Sequence, residues 1–145
     1  MYEPSINYLA VLAGTVAHYM LGALWYSPVL FSKAWIGAVG WSDEEVKAIE
    51  KKGGQGKSLA LQFLGTLVLI FVTAHMVDFM KVIYPDLGAL QVGLTSAFWL
   101  WLGYIATFGL TGVVFEQHSW KLYGINMGYQ FIGLMIAAGI VAVWV

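Results

Sequence analysis

Four long stretches of the chain contain no Asp, Glu, Lys or Arg, and short polar segments separate them. They cover residues 6–26, 58–77, 87–115 and 122–145. A helix crosses the hydrocarbon core of a bilayer with about 20 apolar residues, whereas strands of membrane barrels alternate in polarity over about 10 residues. Because none of the stretches alternates, the pattern predicts an all-α membrane protein. Its four transmembrane helices should form a bundle and lie at about residues 5–26, 58–80, 89–114 and 122–145.

The polar segment after the first helix is expected to contain two short helices. Ser27 and Pro28 favour a helix start, with Ser27 as the N-cap and Pro28 at the first helical position. This helix is too short to span the bilayer, so we expect it to lie in the membrane interface. Ser42 and Glu45 have the spacing of a capping box, which predicts a second, polar helix. The glycine-rich residues 53–56 should end that helix and act as a hinge.

Composition supports a membrane protein and excludes several kinds of chemistry. The 145 residues are 60% hydrophobic and 10% charged, whereas soluble domains carry about 25% charged residues. The sequence has no internal repeat, so we expect residues 1–145 to form a single integral membrane domain. The chain has no cysteine, which excludes disulfides and thiol chemistry. Its net charge of −1 and its lack of arginine argue against nucleic acid as a partner.

An enzymatic function is the least supported by the sequence. The chain contains no HExxH motif, no GxSxG motif and no glycine-rich phosphate loop. We therefore expect no metal and no cofactor, and we identify no catalytic residue.

The lysines predict the orientation of the chain in the membrane. The segment 27–57 carries five of the seven lysines, Lys121 follows the third helix, and only Lys81 lies on the opposite side. Loops rich in Lys and Arg usually stay in the cytoplasm. The long loop 27–57 should therefore be cytoplasmic, with both termini outside.

The string GALWYSPVLFSKAW, followed by a hydrophilic loop and three more apolar helices, resembles the DUF1761 family of small bacterial integral membrane proteins. The resemblance covers essentially the whole chain. It implies a four-helix protein of the bacterial cytoplasmic membrane, and the family brings no established activity or catalytic residues. The residues that carry the resemblance are Gly22, Trp25, Tyr26, Ser27, Pro28, Phe31, Lys33 and Trp35, with Trp120, Tyr129, Gln130 and Trp144 near the C-terminus.

A histidine lies within the first apolar stretch, on a line of small residues. Five residues at intervals of four lie along this side of the helix: Ala10, Gly14, His18, Gly22 and Tyr26. Small residues at this spacing allow helix backbones to approach closely. His18 should therefore point into the bundle and meet polar partners there.

Other polar residues are expected at a similar depth on all four helices. If they face inward, they form a cluster that binds or passes a small molecule or a proton. Alternatively, their hydrogen bonds only hold the helices together, as in a structural or accessory membrane subunit. The members of this candidate site are His18, Gln62, Thr66, Thr107, Asn126, Tyr129 and Gln130.

Three further features are open to interpretation. Glu116 and His118 lie in the turn before the last helix, where they form a solvated turn or, with Lys33 as counter-charge, the mouth of the cluster. His75 and Asp78 are three residues apart, and we interpret them as a hydrogen-bonded pair near the membrane surface. The last helix also carries a GxxxG pattern.

Gly124 and Gly128 form that pattern, and they are expected to lie opposite Asn126 and Gln130. Such a glycine face packs helices together in membranes. It therefore predicts a homo-oligomer, surrounded by the lipid bilayer.

Overall fold

The computed structural model describes residues 2–53 and 55–144, which fold into six helices. Four of them, α1, α4, α5 and α6, are long and apolar enough to cross a membrane, as the sequence predicted. Two short helices, α2 and α3, lie in the segment between the first two spans. The helices are α1 (Tyr8–Trp25), α2 (Ser32–Val39), α3 (Asp43–Lys51), α4 (Gly56–Ile83), α5 (Ala89–Val114) and α6 (Trp120–Val143).

The last helix is the centre of the bundle. α6 contacts each of the other three spans, and it also contacts α2. Its inward side carries small residues, among them Ala137, Ala138 and Ala142, which are fully buried. These pack around Leu134 and Ile70, which are also fully buried, so the core runs along α6. The spans alternate in direction, so both ends of the described chain lie at one end of the bundle.

We call this end the terminal end and the opposite end, which carries α2 and α3, the loop end. At the terminal end, the side chain of Asn7 caps α1 by accepting hydrogen bonds from the backbone N–H groups of Leu9 and Ala10. The segment before α1 is fixed by Asp78, which accepts hydrogen bonds from the Tyr2 hydroxyl at 2.6 Å and the Ser5 backbone N–H at 3.0 Å.

The start of α2 differs from the sequence-based prediction. The helix begins at Ser32, with Phe31 at the N-cap position, so Ser27 and Pro28 do not start it. Residues 26–31 form turns instead, and the Ser27 hydroxyl donates a hydrogen bond back to the Leu24 carbonyl. Ser27 thus closes the end of α1 rather than capping the next helix, and the chain needs a further turn before α2 begins.

The capping box of α3 is present as predicted. The Ser42 hydroxyl accepts a hydrogen bond from the Glu45 backbone N–H, and the Glu45 carboxylate accepts one from the Ser42 backbone N–H at 2.7 Å. Beyond α3, Gly53 takes a positive φ of 86° that favours glycine. Gly54, in the middle of the expected hinge, lies outside the described residues. α4 then begins two residues earlier than predicted, at Gly56, and continues to Ile83.

One turn in the middle of α5 is wider than an α-helical turn. The backbone from Trp101 to Ala106 is π-helical, and two side chains fasten this segment to α6. The Trp101 indole N–H donates to the Met127 carbonyl at 3.0 Å, and the Tyr123 hydroxyl on α6 donates to the Ala106 carbonyl at 2.9 Å. The sequence analysis did not predict this segment.

Candidate functional site

The candidate site lies where α1 and α6 pack against each other in antiparallel directions. A glycine on one helix faces a ring on the other at two successive levels. The ring of His18 lies over Gly133, and the ring of Tyr129 lies over Gly22. A Cβ atom at position 133 would be 2.6 Å from the His18 Cδ2 atom, and one at position 22 would be 2.9 Å from the Tyr129 hydroxyl oxygen. The missing side chains therefore provide the space that the two rings occupy.

His18 is completely buried, as the line of small residues predicted. Its ring Nδ1 lies 2.9 Å from the Tyr129 hydroxyl oxygen, and the same hydroxyl lies 3.4 Å from the His18 backbone carbonyl. The two rings meet edge to face, with centroids 4.9 Å apart. Tyr129 therefore fixes both the position of the imidazole and the hydrogen bond at Nδ1.

The second ring nitrogen of His18 has no hydrogen-bond partner among the described residues. Nε2 is buried, and so is the side-chain oxygen Oε1 of Gln130, which also lacks a partner there. The Gln130 side chain lies close enough to act on the imidazole as a long hydrogen-bond partner, but no bond of normal length and angle joins Nε2 to Oε1. Buried polar atoms in proteins are nearly always satisfied, so each exception calls for an explanation.

The tautomer of the imidazole determines whether Nε2 is a hydrogen-bond donor or an acceptor. If Tyr129 donates to Nδ1, then Nε2 carries the proton and is an unpaired donor. If Nδ1 donates to Tyr129, the tyrosine hydroxyl donates to the His18 carbonyl, and Nε2 is an unpaired acceptor. Both arrangements leave Nε2 without a hydrogen-bond partner among the described residues.

A second polar group lies nearer the loop end, around Asn126. Its side-chain oxygen accepts hydrogen bonds from the Tyr26 hydroxyl at 2.8 Å and from the Trp35 indole N–H at 3.2 Å. The ring of Tyr26 packs edge to face on Tyr129, with centroids 5.4 Å apart. Aromatic side chains thus connect His18 and Tyr129 to α2, and Asn126 joins the ends of α1 and α2 to α6.

Sequence reasoning put Tyr26 on the inward line of α1 but included neither Tyr26 nor Trp35 in the candidate site. Both also suit the membrane interface, where aromatic residues are common. One signal could have found them: buried Tyr and Trp need a partner for their polar atom. Asn126 is the polar residue on α6 that lies at a matching depth.

The structure brings together only part of the predicted cluster. His18, Asn126, Tyr129 and Gln130 meet as described, and Thr66 is buried but its hydroxyl donates to the Gln62 carbonyl within α4. Gln62 and Thr107 have exposed side chains, and the Thr107 hydroxyl donates to the Gly103 carbonyl at 2.6 Å. Gln62 and Thr107 therefore do not face inward, and the condition for a cluster that draws on all four spans is not met.

The secondary candidates stay apart from the cluster. The His118 Nε2 atom lies 3.7 Å from a Glu116 carboxylate oxygen, and both side chains are at least half exposed. Lys33 is also exposed and forms no ion pair with any residue that the structure describes.

The expected pair of His75 and Asp78 does not form. The His75 Nδ1 atom donates to the Phe71 carbonyl at 2.8 Å, while Asp78 accepts from Tyr2 and Ser5. Across residues 2–53 and 55–144, no three His, Asp or Glu side chains are arranged to hold a metal ion.

The two glycines of the GxxxG pattern have different surroundings. Gly124 is exposed, and a Cβ atom there would meet nothing within 4 Å. Gly128 is partly covered by Trp25 of the same chain, whose ring would lie 3.3 Å from a Cβ atom. Only Gly124 thus has open space for a neighbouring molecule.

Taken together, these features define a multi-pass membrane protein with a buried polar group between its first and last spans. The family model described as "Protein of unknown function (DUF1761)" matches residues 9–142, nearly the whole chain. The chain belongs to this family, as the WYSP string and its surroundings indicated. Comparison with curated proteins and with solved structures gave no match.

Proposed function

We propose that the protein binds or passes a small polar species, a proton or a small molecule, at His18 inside the membrane. The observation that carries this proposal is the pair of unpartnered buried atoms, Nε2 of His18 and Oε1 of Gln130. Asn, Gln, Tyr and Thr are sufficient to join helices by hydrogen bonds. A histidine adds a group that can change charge near neutral pH.

The surroundings of His18 also support a binding role. Ionisable residues inside the membrane are rare and usually mark a ligand or proton path. Tyr129 holds Nδ1, so the imidazole presents Nε2 in a fixed direction.

A structural role is the alternative, and a different observation favours it. The Asn126 side-chain oxygen accepts hydrogen bonds from both Tyr26 and Trp35, and these two bonds join the ends of α1 and α2 to α6. In that case the polar group only stabilises the bundle, and the protein acts through its surface as a structural or accessory subunit.

Native mass spectrometry from lipid nanodiscs separates the two functions, with His18→Leu compared against His75→Leu. The control changes the same residue type on α4, where the His75 ring bonds to the Phe71 carbonyl and packs on the Phe71 ring. We expect the wild-type protein and the control to carry a defined extra mass that His18→Leu loses. A proton leaves no such mass, so the tautomer and titration of His18 should also be followed by ¹⁵N NMR.

The proposal fails if no mass is bound and the His18 ring nitrogens neither titrate nor exchange with solvent. A loss of helix packing in His18→Leu would then identify His18 as a structural residue.

Two further parts of the proposal concern the molecule as a whole. We propose that it resides in a bacterial cytoplasmic membrane with loop 27–57 in the cytoplasm, because the lysines concentrate at the loop end. We also propose that copies associate through α6 at Gly124, where the surface is open. Gly124→Leu should then lower the oligomer state in native mass spectra, and a wild-type protein that is monomeric in lipid would contradict this.

A further inference from the structure

A cavity of about 470 Å³ opens at the terminal end of the bundle, far from His18. Its walls come from four parts of the chain: the segment before α1, the last turns of α4, the connection to α5 and the end of α6. The residues that line it include Asn7, Asp78, Lys81, Leu87 and Trp144. Its volume falls within the range of about 300–1,000 Å³ that is typical of small-ligand sites.

The cavity lies at the level where a membrane ends. α1 begins at Tyr8, α4 ends at Ile83, α5 begins at Ala89 and α6 ends at Val143, all beside it. These boundaries place the cavity at the depth of lipid headgroups. An occupant at this depth is therefore in contact with both the hydrocarbon core and the aqueous phase.

The cavity carries one positive and one negative side chain on the same face of α4. Asp78 and Lys81 are three residues apart, so they point to the same side of the helix. They are not within ion-pair distance of each other, and Lys81 has no ionic partner in the described part of the chain. Two separated charges of opposite sign match a ligand that carries both an anion and a cation.

Asp78 is held in place by the chain itself. One of its carboxylate oxygens, Oδ2, accepts the hydrogen bonds from Tyr2 and Ser5. The other oxygen, Oδ1, accepts no hydrogen bond from the described residues, which leaves it available to a ligand. The fixed carboxylate can then accept from a primary ammonium group, whereas a quaternary ammonium group has no proton to donate.

We propose that this cavity binds the headgroup of a phospholipid with a primary ammonium group, such as phosphatidylethanolamine. Lys81 pairs with the phosphate and Asp78 with the ammonium group. The apolar lining residues Ile6, Leu87 and Val141 contact the glycerol and the first acyl carbons. The site is separate from the His18 cluster and does not depend on the function proposed there.

Native mass spectrometry of the detergent-purified protein tests the proposal with lipids that have the same acyl chains. Phosphatidylethanolamine should bind at one molecule per chain and about tenfold more tightly than phosphatidylcholine. Lys81→Gln and Asp78→Asn should each lower that affinity about tenfold, the effect of losing one charge-assisted hydrogen bond. The asparagine retains a carbonyl oxygen that can accept from Tyr2 and Ser5.

Lys57→Gln is the matched control, because it removes the same charge from the opposite end of α4. It should leave the affinity unchanged. Excess glycerophosphoethanolamine, which has the headgroup without acyl chains, should compete only weakly. Equal binding of the two lipids, or unchanged binding in both cavity variants, would overturn the proposal. So would complete displacement by the soluble headgroup, or preferential binding of phosphatidylglycerol.

Discussion

At the scale of single residues, large and small side chains alternate along the contact between α1 and α6. Gly14 packs against Ala137, His18 lies over Gly133, and Tyr129 lies over Gly22. Each step of four residues along one helix returns to the same side, so the two helices match over about two turns. The glycines thus allow a polar ring to enter a contact that otherwise consists of small residues.

Gly133→Ala tests this packing directly. The added methyl group would lie 2.6 Å from the His18 Cδ2 atom and 2.8 Å from Nε2, so the ring must move. We expect the free energy of unfolding in micelles to fall by about 1–3 kcal/mol, as for other overpacked cores. Gly65→Ala on α4 is the control, because nothing lies within 4 Å of its Cβ position, and it should cost no stability. Equal effects of the two substitutions would contradict this account.

Tyr129→Phe removes the hydroxyl that holds the His18 ring. Both the Nδ1 contact at 2.9 Å and the longer contact to the His18 carbonyl are lost. Hydrogen bonds between membrane helices contribute about 0.6 kcal/mol each, so we expect a loss of about 1 kcal/mol in the same unfolding measurement. Tyr104→Phe should have no effect, because Tyr104 is 75% exposed. A stability equal to that of the wild type would show that the hydroxyl does not stabilise the bundle.

The orientation of His18 could be predicted from the sequence, but those of Gln62 and Thr107 could not. The small residues at intervals of four mark the contact face of α1. The spans α4 and α5 are apolar on all sides, so their sequences indicate no buried face. Depth alone placed Gln62 and Thr107 level with the cluster, and their position around the helix remained undetermined.

At the scale of elements, the two short helices show which features a local sequence pattern can predict and which it cannot. The capping box of α3 depends only on residues 42 and 45, and the structure confirms it. The start of α2 depends on how the chain leaves α1, and that turn is set by contacts with distant residues. Trp35 reaches Asn126, 91 positions along the chain, so no local pattern could indicate where α2 lies.

Ser42→Ala should weaken α3 without affecting the four spans. The hydroxyl satisfies the Glu45 backbone N–H at the start of the helix. Loss of such an N-cap typically costs about 1 kcal/mol of helix stability. Amide exchange in residues 43–51 should therefore quicken, and exchange in α4 should stay the same. Exchange rates in α3 that do not change would contradict the capping role.

The same capping box makes α3 sensitive to acid. The Ser42 backbone N–H, and then its hydroxyl, lower the pKa of the Glu45 carboxyl below its ordinary value. The resulting stability is present at neutral pH and is lost as the pH falls through that lowered pKa. A ¹³C titration of the Glu45 carboxyl should show a midpoint below that of Glu in an unstructured peptide. Glu45→Gln should abolish the acid response of α3, and an unchanged response would exclude Glu45 as its source.

The π-helical turn of α5 could not be predicted from its sequence. Residues 101–106 read WLGYIA, which is compatible with an ordinary α-helix. The extra width accompanies two contacts with α6, through Trp101 and Tyr123. π-Helical turns are rare and occur mostly as single turns inside α-helices.

At the scale of the whole molecule, α6 organises the fold, because it contacts all the other spans and α2. The number of spans and their approximate limits could be predicted because a bilayer demands long apolar segments. The packing order could not be predicted, because lipid and protein interior are equally apolar. The contact of the N-terminal segment with Asp78, 73 or more positions away, was also not foreseen.

That contact predicts an alkaline transition. The hydrogen bond that Tyr2 donates to Asp78 raises the pKa of the Tyr2 hydroxyl to about 12. The contribution to stability is complete below the ordinary tyrosine pKa of 10.0 and is lost as the pH rises through about 12. The difference in tyrosinate absorbance between the wild type and Tyr2→Phe should show this midpoint. Asp78→Asn should lower the midpoint towards the ordinary value, and a midpoint that does not move would exclude the contact.

The orientation of the bundle can be tested because the chain contains no cysteine. Six of the seven lysines lie at the loop end, and such an excess keeps a loop in the cytoplasm. Single cysteines at Lys47, in α3, and at Glu3, before α1, provide one label at each end. In intact cells, an impermeant thiol reagent should react with Glu3→Cys and not with Lys47→Cys, which should react only after the membrane is opened. The reverse pattern would place both termini in the cytoplasm, and would put the cavity at Asp78 and Lys81 in the inner leaflet.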